Sequence, residues 1–456
     1  MKYRFTTPSG RFGLKRTDGV FKTPNANIKT PNSKLNFPTF APNLSCMEYQ
    51  YFTLKNGIRL IHKHVAAKVA HCGVVINTGS RDELPHEAGM AHFIEHMLFK
   101  GTTRRKAYHI LSRLENVGGE MNAYTGKEET FLYASFLDQH YDRVLELLSD
   151  ILFNSTFPEK EIEKEKDVVL DEINSMKDTP NELIFDEFED LLFQGHGLGS
   201  CILGSELTLK SFTKMDIQAF IKRNYLTNQI VIASVGSIKP EKLIARIEKY
   251  FGDAVENNGH LCRVPFEEYQ GRSKLEQKAN YQVHHMMGTK AYGIKNDKRT
   301  ALGLVSNILG GPGMNSRLNL GIREKYGYCY NIEAHYQAYS DTGNFSVYLG
   351  TDNGYLDKAI KLIHKELNQL KNSKLGTLQL HRAKQQIIGQ MAISLESNLN
   401  EMISIGKSHL FYDKVDSFAD ITKKVENLTA SDLLDVANEI FDISNFTSLT
   451  FTPKEQ

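Results

Sequence analysis

Apolar and polar positions alternate along the segment EYQYFTLKNGIRLIHKH, and the pair Asn56-Gly57 interrupts the alternation. This pattern predicts a β-hairpin. The segment HCGVVINTGS predicts a further strand, and MNAYTGKEETFLYASF predicts a pair of strands. Helical spacing of apolar residues is found in EAGMAHFIEHMLF, in AYHILSRLENVG and from His140 to Met176, where Pro158 lies near the start of a second helix.

The same order of patterns recurs from Tyr281 onward. Strand patterns occur in YQVHHMMGTKAY, YNIEAHYQAYS and GNFSVYLGTD, helical patterns occur in KRTALGLVSNILGG and SRLNLGIREKYG, and two further helices extend through Leu362 and Ala383. We interpret the halves as degenerate copies of one unit, with two unrelated domains as the alternative. The predicted fold class is α+β: two tandem homologous domains, each a mostly antiparallel sheet with helices packed on one face.

Composition suggests where these domains begin and end. A chain of 456 residues exceeds what one hydrophobic core usually supports. Residues 1–48 are rich in Pro, Thr, Asn and basic residues, with Asp18 the only acidic residue before Glu48, so we expect a basic, irregular arm. The polar segment 256–280 is the predicted linker. Residues 49–255 and 281–456 are then the two domains, and only the first carries a metal motif.

Composition and charge also exclude several classes of function. No segment approaches the roughly 20 apolar residues that span a bilayer, so we expect a soluble protein without a membrane span. The net charge of +1 gives no reason to expect nucleic acid as a partner. Five separated cysteines, never in a C-x-x-C pair, argue against a disulfide framework and a cysteine-based zinc site. A reducing compartment fits, and we expect the cytoplasm, with the mitochondrial matrix or another organelle as the alternative.

The main chemical pattern is H-x-x-E-H, formed by His92, Glu95 and His96, which share one face of the predicted helix. Two imidazoles four residues apart can bind one zinc ion, and a catalytic zinc site needs a third protein ligand and an open position for water. The alternative is a helix that carries two histidines by chance. The apolar run MLF that follows argues against it, because burying Glu95 is costly unless the carboxylate meets a metal, its water or a cation.

The run HFIEHMLFKGT, with Gly89 three residues before its first histidine, resembles the pitrilysin-type zinc peptidases with the inverted motif, and in particular their processing-peptidase-like two-domain members. The resemblance implies a third zinc ligand in a downstream helix that also carries a glutamate seven positions earlier. The segment EKDVVLDE supplies both: 75 residues separate Glu172 from His96, and Glu165 precedes Glu172 by seven. Taken alone, these two glutamates would belong to a solvated helix face, and Asp171 and Glu163 are neighbouring alternatives.

The resemblance implies one zinc ion per chain, bound by His92, His96 and Glu172. Glu95 would be the general base that activates the bound water, and Glu165 would orient or polarise the site.

In the second half, GGPGMNSRLNLGIREKYGYCYNI is similar to a family signature in which an arginine and a tyrosine approach the active site. The matching residues are Arg323 and Tyr330, which would bind substrate carbonyls and stabilise the oxyanion. A surface ion pair of Arg323 with Glu324, and Tyr328 in place of Tyr330, are the alternatives. The adjacent glycine-rich turn lacks the Lys and Ser or Thr of a nucleotide-binding loop, so we predict no nucleotide.

Two pairs of neighbouring residues complete the list of candidates. Asn122 and Ala123 match an edge-strand segment with which family members pair substrate backbone, although a plain strand start explains them nearly as well. His284 and His285 lack an acidic partner at suitable spacing, and we interpret them as core or surface histidines.

Together these patterns predict a zinc metalloendopeptidase that hydrolyses unfolded peptides or oligopeptides. We expect a homodimer, because one chain carries both the zinc motif and the Arg323/Tyr330 pair, with a heterodimer with a related chain as the alternative. The competing class is a non-catalytic or partner-dependent subunit of a processing-peptidase-like complex. Such relatives typically lose a zinc ligand or the general base, whereas this chain keeps all four residues.

Overall fold

The structure is a computed structural model that describes residues 49–454. The arm predicted at residues 1–48 lies outside the described residues. Between Tyr49 and Lys454 the chain forms two β-sheets flanked by helices, so the predicted α+β class is confirmed. No helix in this range has the length and apolar composition needed to cross a lipid bilayer.

The first sheet is built from strands of the first half of the chain. In the described residues these are β1 (Tyr49–Thr53), β2 (Arg59–His64), β3 (Val69–Ile76), β4 (Glu120–Thr125), β5 (Thr130–Leu137) and β6 (Ile230–Gly236). Their spatial order is β1-β2-β6-β3-β5-β4, and only the β2–β6 pair is parallel. The predicted hairpin is β1–β2, and Gly57 in its turn has φ +94°, which glycine adopts without strain.

Helices of the first half cover one face of this sheet. The first half contributes α1 (Met90–Met97), α2 (Ala107–Glu115), α3 (Tyr141–Asn154), α4 (Glu159–Lys177), α5 (Pro180–Leu192), α6 (Glu206–Ser211), α7 (Lys214–Asn224) and α8 (Pro240–Phe251). Apolar residues of α1, α2, α3, α7 and α8 form one continuous core with the sheet, which includes the fully buried Phe93 and Tyr141.

The second sheet contains β7 (Ser273–Lys278), β8 (Val283–Ala291), β9 (Asn331–Ala338), β10 (Gly343–Thr351) and β11 (Thr447–Pro453), in the order β7-β11-β8-β10-β9. The helices are α9 (Arg299–Gly310), α10 (Leu356–Asn372), α11 (Thr377–Leu395), α12 (Asn398–Tyr412), α13 (Phe418–Asn427) and α14 (Ala430–Ile440). The helix predicted in SRLNLGIREKYG forms over residues 317–326, and its central residues Asn319–Glu324 are π-helical.

Strand β7 is a correction to the sequence prediction, because it lies inside the segment 256–280 that was predicted as linker. Its sequence SKLEQK is polar and mostly exposed, so it carries no alternation of buried residues. The strand forms by pairing in parallel with β11, at the edge of the second sheet. Lysines are typical of such edge strands, because they discourage pairing with other chains.

The two sheets repeat one topology. Strands β2, β6, β3, β5 and β4 of the first sheet correspond in chain order and spatial order to β7, β11, β8, β10 and β9 of the second. The single parallel pair is also at the same place, β2–β6 in one sheet and β7–β11 in the other. This correspondence is what duplication of one unit produces, and β1 is the addition in the first half.

The remaining face of each sheet is covered by a helix from the other half. Helix α5 packs on β8 and β11 of the second sheet, and α12 packs on β3 and β6 of the first. Gly406 of α12 lies so close to Ala233 that an added Cβ would be 2.9 Å from the alanine Cβ. On the same face the buried Lys63 pairs with the buried Glu401. This exchange of helices joins the two halves.

Candidate metal centre

Helix α1 carries polar side chains on one face of an otherwise buried apolar helix. Its apolar residues are all fully buried: Met90, Ala91, Phe93, Ile94 and Met97. The chain enters the helix through Gly89, which has φ +94°. A Cβ on Gly89 would lie 2.7 Å from the carbonyl oxygen of Leu203, so only glycine fits there. Packing therefore fixes both the position and the rotation of α1.

The structure brings Glu172 of α4 to the two histidines of α1. Nε2 of His92 and Nε2 of His96 lie 3.8 and 3.6 Å from Oε2 of Glu172. Within the described part of the chain this trio is the group of His, Cys, Asp and Glu side chains close enough to bind a metal ion. Asp171 is exposed, and Glu163 is exposed and pairs with Lys166.

The donor set and spacing fit zinc. Zinc–ligand bonds of about 2.0–2.1 Å at tetrahedral angles place two ligand atoms about 3.4 Å apart, a few tenths of an ångström less than the separations from Glu172. Two imidazoles and one carboxylate are also the ligands of many catalytic zinc sites, which leave the fourth position open. The trio therefore fits a catalytic zinc ion in both donor type and approximate spacing.

His96 is oriented by a buried glutamate. Its Nδ1 lies 2.9 Å from Oε1 of Glu165, and the other carboxylate oxygen of Glu165 lies 2.5 Å from Nζ of Lys100. Burial alone would raise the pKa of Glu165, but the hydrogen bonds from His96 and Lys100 outweigh it and lower the pKa. Glu165 is therefore a carboxylate, Nδ1–H of His96 donates to it, and Nε2 is the ring nitrogen that faces Glu172.

His92 and His96 differ in their electrostatic surroundings. Burial, reinforced by His96, lowers the pKa of His92 to about 3, so His92 is neutral. Burial would also lower the pKa of His96, but the carboxylates of Glu165 and Glu172 raise it above its usual value. Burial, with a contribution from Glu165, raises the pKa of Glu172. A cation at the trio would balance this concentration of carboxylates.

Glu95 lies beside the trio but is not one of its members. Its side chain is buried, and Oε2 accepts a hydrogen bond of 2.6 Å from the hydroxyl of Thr125. Burial raises the pKa of Glu95, and the bond from Thr125 offsets part of that increase. A carboxyl group with a raised pKa next to a metal site can accept a proton and release it again near neutral pH.

Asn122 and Ala123 lie on β4, at the edge of the first sheet. Asn122 is exposed, Ala123 is half-buried, and β4 pairs with β5 on one side only among the described strands. The same strand carries Thr125, which contacts Glu95. The free edge of β4 therefore passes next to the candidate metal centre.

Arg323 and Tyr330 lie in the second half and are both exposed. Arg323 is on the π-helical turn, and the hydroxyl of Tyr330 donates to Asp352 at 3.1 Å. Within residues 49–454 neither side chain hydrogen-bonds to His92, His96 or Glu172, so the structure does not bring the pair into contact with the trio. Tyr328, the alternative to Tyr330, stacks between Tyr326 and Tyr355.

His284 and His285 are core histidines, as predicted. The hydroxyl of Tyr348 contacts His284, and the hydroxyl of Thr450 contacts His285. Burial lowers the pKa of His285 to about 4.

Sequence reasoning missed two residues of the site, Lys100 and Thr125. Lys100 lies four residues after His96, so helical spacing could have placed it near the same face. Thr125 lies two residues after Ala123, so strand alternation places the two side chains on one face of β4. Neither signal shows that Lys100 contacts Glu165 or that Thr125 contacts Glu95, because each partner lies on a different element of the fold.

Fold and site together define a two-domain α+β protein with a candidate zinc centre in its first half, and comparison with known proteins identifies its family. A family model described as "Insulinase (Peptidase family M16)" matches residues 59–206. A second, described as "Peptidase M16 inactive domain", matches residues 211–387. The chain belongs to peptidase family M16, the pitrilysin-type family that the H-x-x-E-H motif resembles.

Similar proteins span almost the whole described chain. The "Uncharacterized zinc protease YmxG" of Bacillus subtilis (strain 168) is 32% identical over 391 residues, which cover 86% of this chain and 95% of the relative. An "Uncharacterized zinc protease" of Rickettsia felis is 32% identical over 389 residues, which cover 85% of this chain and 94% of the relative.

Two solved structures share the fold. A protease from Helicobacter pylori superimposes with a TM-score of 0.82 at 22% identity, covering 89% of this chain and all of the other. A peptidase M16 inactive domain from Pseudomonas fluorescens gives 0.83 at 19% identity, covering 90% of this chain and 98% of the other.

Proposed function

We propose that the chain is a zinc-dependent endopeptidase that hydrolyses unfolded peptides. The observation that carries the proposal is the placement of Glu95, a buried carboxyl group outside the metal trio but beside it. A structural zinc site uses all its positions for protein ligands and needs no such neighbour. The names of the relatives, which call them zinc proteases, point to the same metal and reaction class.

In the proposed reaction, His92, His96 and Glu172 hold one zinc ion per chain. The ion would lower the pKa of a bound water and polarise the scissile carbonyl. Glu95 would accept a proton from the water whose oxygen attacks the carbonyl carbon. Glu95 would then deliver the proton to the leaving amine, so that the peptide bond breaks and the Glu95 carboxylate is restored. Glu165 holds the imidazole of His96 in the tautomer that presents Nε2.

The substrate-binding part of the proposal uses the free edge of β4. An extended peptide that pairs with Asn122 and Ala123 adds a strand to the first sheet, and this mode depends mainly on backbone hydrogen bonds. A folded protein cannot offer a free strand, so unfolded peptides are the expected class. Arg323 and Tyr330 would stabilise the oxyanion after the halves bring them closer, and the bond from Tyr330 to Asp352 would then break.

A homodimer is the proposed assembly, since one chain carries all the proposed catalytic residues. Light scattering on the purified chain, with and without a related subunit, distinguishes it from a heterodimer. Hydrolysis that requires the second subunit would favour the partner-dependent alternative.

Removing and restoring zinc tests the proposed function. The purified chain is treated with a chelator, its zinc content is measured by elemental analysis, and hydrolysis of an unstructured quenched peptide is followed. We expect hydrolysis to be lost with zinc and to return as zinc is added back. Hydrolysis that persists in the zinc-free chain contradicts the proposal. A stably folded protein of similar amino-acid composition serves as a control substrate and should remain intact.

A further inference from the structure

Glu83 acts as the capping side chain of helix α1. Its carboxyl oxygens accept the backbone N–H groups of Gly89 at 2.9 Å and Ala91 at 2.8 Å. The first turn of any helix leaves such N–H groups without partners inside the helix. The N-cap residue is Gly89, which has no side chain that could accept them. Glu83 thus fixes the N-terminal turn of α1. His92 follows directly after Ala91, the second residue that Glu83 holds.

Arg81, two residues earlier, is held by the second half of the chain. Its guanidinium donates to both carboxylate oxygens of Asp341, at 2.5 and 2.8 Å, and Asp341 lies between β9 and β10. It also donates to Glu128, between β4 and β5, at 2.6 Å and to the carbonyl oxygen of Val264 at 2.8 Å. The side chain is 2% exposed, so these charge-assisted bonds take the place of water at the two terminal nitrogens of the guanidinium group.

Asp82, between the two, is held by the segment that connects the halves. Arg263 donates to both carboxylate oxygens of Asp82 at 2.8 Å and to the carbonyl oxygen of Glu128 at 2.9 Å. Removing one partner of a buried ion pair leaves an uncompensated charge, so these pairs resist separation. Three consecutive residues therefore contact the second half, the connecting segment and the metal helix.

We propose that Glu83 is a positioning residue for the zinc ligands and that Arg81 and Asp82 make its position depend on the second half of the chain. Movement of the loop that carries Asp341 would shift the turn at residues 80–82, and Glu83 would pass this shift to α1. The inference rests on the proposed function, because it assumes that α1 carries two zinc ligands. It extends that function by linking metal binding to the arrangement of the halves.

Glu83→Gln tests the positioning role. The glutamine offers one acceptor oxygen and turns a second donor toward a backbone N–H, so one of the two bonds to α1 is lost. We expect zinc affinity, measured by chelator competition, to fall at least about tenfold, and kcat to fall while KM changes little. If this variant does not fold, Glu83→Asp, which keeps the carboxyl group but shortens the reach, provides the same readouts.

Glu87→Gln is the matched control. Glu87 lies on the same loop, is buried, accepts the N–H of Leu84 and pairs with Arg223, but makes no hydrogen bond to α1 within the described residues. This variant should lose thermal stability and keep its zinc affinity. If Glu83→Gln loses stability to the same extent as Glu87→Gln and binds zinc as tightly as the wild type, the positioning role is wrong. A wild type that binds no zinc would instead contradict the proposed function.

Asp341→Asn tests the link to the second half. We expect a loss of zinc affinity of a few-fold, and in the double variant with Glu83→Gln we expect little further loss, because both changes act through one turn. If the losses of zinc affinity are fully additive, or if Asp341→Asn binds zinc as tightly as the wild type, the link to the second half is wrong. The positioning role of Glu83 is judged separately, by Glu83→Gln.

Discussion

Nδ1 of His96 and Oε1 of Glu165 lie 2.9 Å apart, and this contact determines which imidazole nitrogen faces Glu172. Glu165 is held in turn by Lys100, so the buried carboxylate cannot turn away without losing its ion pair with this half-buried ammonium group. The histidine and its orienting glutamate come from different helices, α1 and α4. Their contact therefore joins the two elements that supply the proposed zinc ligands.

We predict that Glu165→Gln weakens zinc binding by about 10- to 100-fold, because the imidazole of His96 loses its charged acceptor. Chelator competition on the folded protein measures the change. Glu163→Gln is the control, since Glu163 lies on the same helix, is 71% exposed and pairs only with Lys166 at the surface. Equal affinity of Glu165→Gln and the control would contradict the orienting role.

We predict that Gly89→Ala is more destabilising than Gly118→Ala. Both glycines have positive φ, so both substitutions carry the backbone strain of about 1–2 kcal/mol. A Cβ on Gly89 would also meet the backbone of Leu203 and Gly204, whereas a Cβ on Gly118 would meet nothing within 4 Å. Overpacking should add about 1–3 kcal/mol, and α1 should shift.

Urea unfolding of the zinc-free proteins measures this difference in stability. Zinc affinity should fall in Gly89→Ala alone. Equal losses of stability in the two variants would show that the close packing around Gly89 is not what positions α1.

We predict that the zinc-free protein loses stability as the pH falls from about 6.5 toward 4. Burial lowers the pKa of His62 to about 4, and the carbonyl groups of Ile238 and Ser234 offset only part of this effect. Below about pH 6.5 the unfolded chain binds a proton that the folded chain does not, so the free energy of unfolding decreases by about 1.4 kcal/mol per pH unit for this histidine.

Urea unfolding at several pH values checks this sign and slope. His62→Leu should reduce the slope, because the unfolded variant no longer has this histidine to take up a proton at low pH. His86→Gln, at an exposed position, should leave the slope unchanged. An unchanged slope in His62→Leu would mean that this histidine is protonated in the folded protein.

Local patterns predicted much of the fold. The β1–β2 hairpin and helix α1 follow from the spacing of apolar residues over short segments, where neighbours in the chain are also neighbours in space. The exchange of α5 and α12 could not be predicted, because an amphipathic pattern shows that a helix has an apolar face and not which sheet covers it. Strand β7 has no apolar pattern, and its pairing with β11 depends on residues far away in the chain.

The candidate site divides in a similar way. Helical spacing places His92, Glu95 and His96 on one face, and the family resemblance selects Glu172, which the structure brings to the two histidines. Thr125 was missed because its contact with Glu95 joins a strand to a helix. The expected approach of Arg323 and Tyr330 stays a prediction, since it depends on the relative position of the two halves and sequence patterns carry no such information.

The central claim is that Glu95 acts on a zinc-bound water, and the most direct measurement compares the wild type with Glu95→Gln. Zinc content is determined by elemental analysis and hydrolysis of an unstructured quenched peptide is followed on the same samples. We predict one zinc ion per chain in both proteins and hydrolysis in the wild type only, with turnover reduced by at least about 100-fold in the variant. Zinc in both proteins with equal hydrolysis, or no zinc in the wild type after reconstitution, would contradict the account.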